Sequence, residues 1–477
     1  MRRVCLVSMF LSILPLVADS RSNAPPKTPP PTPREIAWRV LSGVHLAAGK
    51  AQAAVQPYLM LHLAENTVEF NRKMALTEFR DSFTDARIME TTYRAPLQAQ
   101  IVSSVAPIDI PTAVDLVRTV RPNPAQRFAR DNWDRSVQAI NSQLMAHYRP
   151  DEAVELIKLV STPGVFPNQA ASNLIGTLPP ADDRRLGVFG YAATCYRQFP
   201  FPGFTTLVND YWQVMPRTLV VMAANAVADD GSHATKTELT QILPILREVD
   251  PPRAERLLSE HPEIEDPNKQ KPHKKTYQEQ DDERQLRSIA AQELTNPMRA
   301  LQSARYIHDA DAREQIILQI ATDVLQNGGN PDVASLALQM LLQLPAKSQR
   351  DLAAQLAELA AYSGKSDQAE RFVNAAFDLA GKLQEVDMDA KSDCGVNPAP
   401  RDWWPSTAAY RAAMHAAVAV FHESGDRYLP RFQADADLYL LLSVEFARAL
   451  LGGSTTSTPV LNCTDAVAIA QEDVPSS

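Results

Sequence analysis

The octapeptide AVDLVRTV at Ala113–Val120 returns as AVELIKLV at Ala153–Val160. Every apolar position stays apolar, each charge keeps its sign, and only Thr119 changes character. Ala113, Val114, Leu116, Val117 and Val120 recur at intervals of three and four, which puts them on one face of a helix. A chain that repeats an amphipathic helix must bury the same stripe more than once. Stacked helical hairpins do this, because each shelters its neighbour's apolar side. The phrase therefore predicts an all-α fold, a superhelical stack of antiparallel helical hairpins (α-solenoid), with its two copies as equivalent second helices of adjacent units.

Looser copies support the reading. Ala254 is followed by Leu257 and Leu258, Ala334 by Ala337 and Leu338, and Ala369 by Phe372 and Val373. Pro111-Thr112, Pro150-Asp151, Pro251-Pro252, Pro331-Asp332 and Ser366-Asp367 precede these helices and supply the fixed φ or capping oxygen that starts one. Only 16 of the 477 residues are Gly, too few for the many positive-φ turns of a large sheet protein, whereas 36 Pro suit abrupt helix starts and stops.

The unit is clearest over Ser303–Gly381, where turns at Asn327–Asp332 and Ser363–Asp367 lie about 35 residues apart, a helical-repeat period. In LAELAAYSGKSDQAERFVNAAFDLA, residues 356–380, Leu356-Ala357, the turn residue Gly364, and Ala369, Val373 and Ala376 fall in the pattern of the tetratricopeptide repeat, which this stretch resembles. Gly329, Ala334, Leu338 and Pro345 form a second, looser copy. The resemblance covers residues 300–383; Ala360 replaces the usual first-helix aromatic, and Gly381 stands where a closing Pro is expected.

Arg2 and Arg3 before the apolar run Val4–Val17, with small residues at 18–20, read as an export signal over residues 1–20. The run is too short and too broken by Pro15 for a spanning helix. A Pro-rich linker at 21–33 follows, then an N-terminal helical-repeat region at 34–260 and a charged flexible insertion at 261–284. Repeats at 285–385, a loop at 386–404 and a C-terminal helical cap at 405–477 complete the map. Within it, single helices are expected over 65–89, 127–147, 182–198, 205–224, 405–422 and 434–451. The formal net charge of −9 and the lone Lys-rich run NKQKPHKK, flanked by acids, argue against nucleic acid as a partner.

Candidate chemistry is sparse. GVHLAAGK at 43–50 has the wrong glycine spacing and no hydroxyl for a phosphate loop. His422-Glu423-Ser424-Gly425 resembles the Glu-Ser pair of lytic transglycosylases, but no Gly-rich segment follows, so a helix end near Gly425 is expected. His415 with His422, and His62 with Glu65 and Glu69, are poorly spaced for one ion, and Asp387, Asp389 and Asp393 lack the Gly and Glu of a calcium loop. No cofactor and no metal centre are expected. Cys394 and Cys463 lie in polar loop-like sequence and form a disulfide candidate, closing a loop of about seventy residues worth roughly 4 kcal/mol on the chain-entropy model; Cys195 is expected to be a buried small hydrophobe.

Rings are the remaining candidates. Tyr191, Phe199, Phe201, Phe204 and Trp212 crowd around the irregular FPFPGF, and Trp403 and Trp404 stand at a helix start, either as core or as anchors for a partner. The expectation is an exported, periplasmic or secreted, non-enzymatic scaffold that binds a protein or peptide. The alternative is an enzyme on an α/α-helical frame acting on polysaccharide, with Trp403, Trp404, Glu423 and nearby histidines around a cleft.

Overall fold

A computed structural model describes residues 30–455 except 125, 230–233, 263, 265–276, 293–295, 327–330, 342–353, 355–356, 358–359, 361–365 and 394–399. Cys394, Cys463 and Ser363–Gly364 lie outside the described residues, as does the export signal. The first half holds α1 (Pro33–Ala47), α2 (Gln56–Thr67), α3 (Arg72–Asp85), α4 (Thr91–Val105), α5 (Ile110–Thr119), α6 (Arg127–Ala146) and α7 (Pro150–Val160). It continues with α8 (Asn168–Thr177), α9 (Asp183–Gln198), α10 (Phe204–Tyr211), α11 (Arg217–Asp229), α12 (Lys236–Val249) and α13 (Pro251–Glu260). The second half holds α14 (Tyr277–Gln292), α15 (Pro297–Ala304), α16 (Ala310–Gln326), α17 (Pro331–Leu341), α18 (Ser366–Asp393), α19 (Pro405–Phe421) and α20 (Ala436–Leu450). An isolated bridge between Thr162 and Val165 is the only β pairing among the described residues. The chain is an all-α stack of antiparallel hairpins.

The repeated phrases are α5 and α7. Each is the second helix of a hairpin, α4–α5 and α6–α7, and the first helices pack in a row, α4 on α6 and α6 on α8. The small residue that opens each phrase allows this approach: Ala113 and Ala153 are 0% exposed, Ala254 is 1% and Ala369 0%; Ala334's side chain lies outside the described residues. Helix starts follow a common chemistry. Asp109, Asp250 and Asn296 cap α5, α13 and α15 by accepting from the backbone N–H of Thr112, Arg253 and Arg299, each with Pro in the first turn. Thr32 and Thr235 form capping boxes with Glu35 and Glu238.

Several boundaries differ from the sequence reading. The single helix expected over 65–89 is broken, because Asn71 turns extended and caps a new helix, α3, through Met74 N. The one expected over 205–224 divides at Met215, which is also extended, ahead of Pro216. Gly381 closes nothing: α18 runs through it to Asp393, so Asp387, Asp389 and Asp393 lie on a helix and not on a loop. The charged insertion gives way at Tyr277 to α14, where Asp282 accepts from the backbone N–H of His308 and Asp309 and ties the helix to its neighbour.

Topology supplied the main surprise. The expected C-terminal cap is not a free end: α20 packs on α1 and α2. A dedicated apolar cluster joins Ala37, Leu41, Leu59 and Leu63 to Leu440, Leu441, Val444 and Ala447. One larger core runs from Tyr58 to Ile264 and another from Ile289 to Phe446, with Trp403 of the C-terminal part embedded in the first. The beginning and end of the helical array are thus sewn together, and the stack passes through the join.

Candidate functional site

Three consecutive first-row helices, α6, α8 and α10, flank a cavity of about 810 Å³. Its wall carries Asp131, Asp134 and Gln138 from α6, Asn168 and Ser172 from α8, and Asp210 from α10. Asp134 is 6% exposed and accepts from Gln169 N at 3.0 Å through Oδ2, capping α8 from a neighbouring helix; its Oδ1 is buried with no donor among the described residues. Burial pushes its pKa up to about 7 against the backbone N–H groups of residues 168–170. The guanidiniums are engaged: Arg127 Nε lies 3.5 Å from Asp131, and Arg130 Nη1 donates to Pro124 O at 2.7 Å.

FPFPGF, residues 199–204, forms one rim. Asn168 Nδ2 donates to Pro202 O at 2.7 Å. Gly203 has φ +89°, and a Cβ there would lie 2.9 Å from that Nδ2, so both conformation and space require Gly. On the other side of the connector a second cavity, about 770 Å³, is lined by Phe199, Tyr196, Pro163, Thr235 and Glu238, sharing Arg127 and Pro202 with the first.

The predicted rings divide between these surroundings and the core. Phe201 and Phe204 are 3% and 0% exposed, Phe201 stacking on Phe166 at 4.8 Å and Phe204 on Tyr196 at 4.5 Å, so neither can meet a partner. Tyr191 and Trp212 are partly buried against the same core. Phe199, 51% exposed, is the one ring of the connector that faces outward. Trp403 is 1% exposed, its Nε1 donating to Tyr58 Oη, and packs edge-on to Tyr93 at 5.4 Å; Trp404 is 9% exposed under the Arg401 guanidinium at 4.8 Å. Both tryptophans are core, not anchors, because the chain-end junction closes over them. Cys195 is half-buried and free, and burial raises its thiol pKa.

That junction holds a buried ionic chain. His62 Nε2 lies 3.2 Å from Asp402, which is also bonded by Arg411 Nη2; Arg411 Nε is 3.9 Å from Glu445, and Glu445 is 2.8 Å from His415 Nε2. On the α2 side Glu65 pairs with Arg448 at 3.0 Å and accepts from Ser104 at 2.8 Å. Burial alone would raise the pKa of Asp402, yet Arg411 and His62 hold it at about 2; for Glu65, the contacts with His62 and Arg448 likewise outweigh burial and leave it at about 2. Burial by itself would discharge His62, but Asp402 and Glu65 together hold its pKa above the usual value.

His415 also opens onto a third cavity, about 820 Å³, together with His422, Glu423 and Ser366. His422 ends α19 with φ +51°, a conformation strained for any residue with a Cβ, and Gly425 behind it passes so close to α19 that a Cβ would lie 3.2 Å from the Ala417 carbonyl. Among the described residues no group of three or more His, Cys, Asp or Glu side chains could hold a metal ion, and no helix is long and apolar enough to cross a membrane.

Sequence reasoning missed Asp134, Asp402, Arg411 and Glu445. A signal existed for two of them: Arg411 sits in AAYRAAMHAAV and Glu445 in LLLSVEF, each the one charged residue of an apolar helical stretch apart from the neighbouring His415. Such a charge is buried with a partner or not buried at all.

No family model and no curated protein matches this chain. Among solved structures, a chain described as a circular tandem repeat protein with novel repeat topology and enhanced subunit contact surfaces is similar at 11% identity, covering 92% of this chain and 89% of that one, with a TM-score of 0.17. A score that low carries no argument; the class, a helical-repeat fold, rests on the helices and their packing described above.

Proposed function

We propose that the chain is an exported helical-repeat scaffold of the periplasm or cell exterior that binds a protein or peptide segment, without catalysis of its own. The observation that carries this reading is the pair of cavities on either side of residues 199–203, the first crossing three successive helices and the second fronted by exposed Phe199. Grooves across the first-row helices of a solenoid are where extended partners lie. The tetratricopeptide likeness of residues 300–383 is part of the same proposal. The test is capture from an envelope extract with the mature chain and with Phe199→Ala. A defined partner, retained less by the variant, is expected; capture of none would end the scaffold reading.

One observation favours the enzyme reading: His415, held by Glu445 at 2.8 Å, shares a cavity with His422 and Glu423. An imidazole close to two carboxyls is suited to general acid–base work. Release of reducing ends from envelope polysaccharide by the parent chain, lost in both Glu423→Gln and His415→Asn, would favour it over the scaffold.

A further inference from the structure

We infer that the groove between α6, α8 and α10 takes the cationic side chain of a basic peptide segment, with Asp134 and Asp210 as its recognition residues. This deepens the scaffold reading and rests on it. Asp134 Oδ1 and Asn168 Oδ1 are buried acceptors with no donor, and Asp210 is exposed, with no cation paired to it among the described residues. Neither guanidinium on the wall serves them: Arg127 Nε lies 3.5 Å from Asp131, and Arg130 Nη1 donates to Pro124 O. None of the donors on the wall reaches these two buried oxygens, and a buried unsatisfied acceptor is costly until a donor reaches it. An ammonium or guanidinium group supplies several donors and a charge in one small head. A chain of net charge −9 also favours a basic partner over an acidic one.

Asp134 gives the site a thermodynamic signature. The charged groups around it are Arg127, Arg130 and Asp131 on its own helix and Asp210 on α10; the α8 wall is polar but carries no charge. Burial holds the empty carboxyl partly protonated near neutrality, and a cation seated beside it favours the ionised form. Binding at about pH 6 then expels a proton, and the expulsion fades by about pH 8, where the empty site is already ionised. A carboxyl that serves only to cap α8 has no reason to release a proton on addition of peptide.

The experiment uses the mature chain and two labelled peptides, one of alternating lysine and serine and one of alternating glutamate and serine. Fluorescence anisotropy is expected to show binding of the lysine peptide and not of the glutamate peptide. Asp134→Asn with Asp210→Asn should weaken it by about tenfold or more. Titration calorimetry at about pH 6 in buffers of different ionisation enthalpy should register proton release in the parent and not in Asp134→Asn. Asn keeps the shape of Asp134 and can still accept from Gln169 N, and the exposed Asp210→Asn serves as a second variant that does not depend on core packing. Failure of the lysine peptide to bind, preference for the glutamate peptide, or undiminished affinity in the double variant each overturns the inference. A partner captured from extract equally well by parent and double variant would overturn it while leaving the scaffold reading standing.

Discussion

Replacing Arg411 with Met is the sharpest probe of how the two ends of the array are joined. The side chain is 1% exposed and stands between Asp402 and Glu445, themselves 0% and 2% exposed. Met fills much the same volume but removes the guanidinium that stands between two buried carboxylates, leaving His62 3.2 Å from Asp402 and His415 2.8 Å from Glu445. Breaking a buried pair by removing one partner destabilises by about 3–5 kcal/mol. The folded pKa of Asp402, held at about 2 chiefly by Arg411 and His62 against burial, must climb in the variant, and each unit of rise is about 1.4 kcal/mol. A climb of about two units thus matches the lower end of that range.

The loss should depend on pH in a defined direction. A carboxyl whose folded pKa is depressed adds stability that is present above its unfolded pKa of 3.8 and disappears as pH falls through about 2. His62, whose folded pKa is raised above 6.5, adds stability that is complete below that value and fades as pH rises through the folded pKa. In Arg411→Met the His62 imidazolium, no longer opposed by the Arg411 charge, gains as pH falls and stands in for the missing guanidinium beside Asp402, so the deficit relative to parent should shrink. Urea unfolding followed by circular dichroism at about pH 7 and about pH 5 measures this as a shift in midpoint at constant slope. Adding Asp402→Asn to Arg411→Met should recover most of the deficit. A deficit below about 1 kcal/mol at neutral pH, or one that is the same at both pH values, would refute the account of the junction.

Three further perturbations test the packing argument. Ala153→Leu forces a larger side chain into the 0% exposed seat where α7 meets its neighbours and should cost about 1–3 kcal/mol, while Leu159→Ala, at a position 52% exposed on the same helix, should stay within about 0.5 kcal/mol by the same urea assay. Gly425→Ala places a Cβ 3.2 Å from Ala417 C and O, backbone atoms that yield less readily than a side chain, and is expected to cost about 1–3 kcal/mol of stability and to disturb the His422–Glu423 cavity. Gly203→Ala meets both a φ of +89° and the Asn168 amide at 2.9 Å; thermal unfolding should show a loss of about 1–2 kcal/mol, with weaker peptide capture because one rim of the groove has moved.

What the sequence reveals and what it hides follow from the range of the forces involved. The stripes at Ala113 and Ala153 are legible because a helix face is decided within a few residues, by spacing and capping. The same locality makes the breaks at Asn71 and Met215 easy to misjudge, since an unbroken apolar period reads across a bend. The join between α20 and α1–α2 involves contacts separated by 340 residues for His62–Asp402 and 383 for Glu65–Arg448, and no local pattern announces them. Burying charges there is costlier than burying leucines, and the cluster of Leu59, Leu63, Leu441 and Val444 beside it supplies the apolar area. What the ionic chain adds is register: leucines tolerate a slide of one helix along another, whereas Arg411 between Asp402 and Glu445 does not, because a slip of one turn, about 5.4 Å, strands every charge at once. A groove that spans successive helices depends on their relative tilt, and locking the first and last hairpins at one setting places the least readable residues of the sequence, charges in greasy helices, among those that fix it.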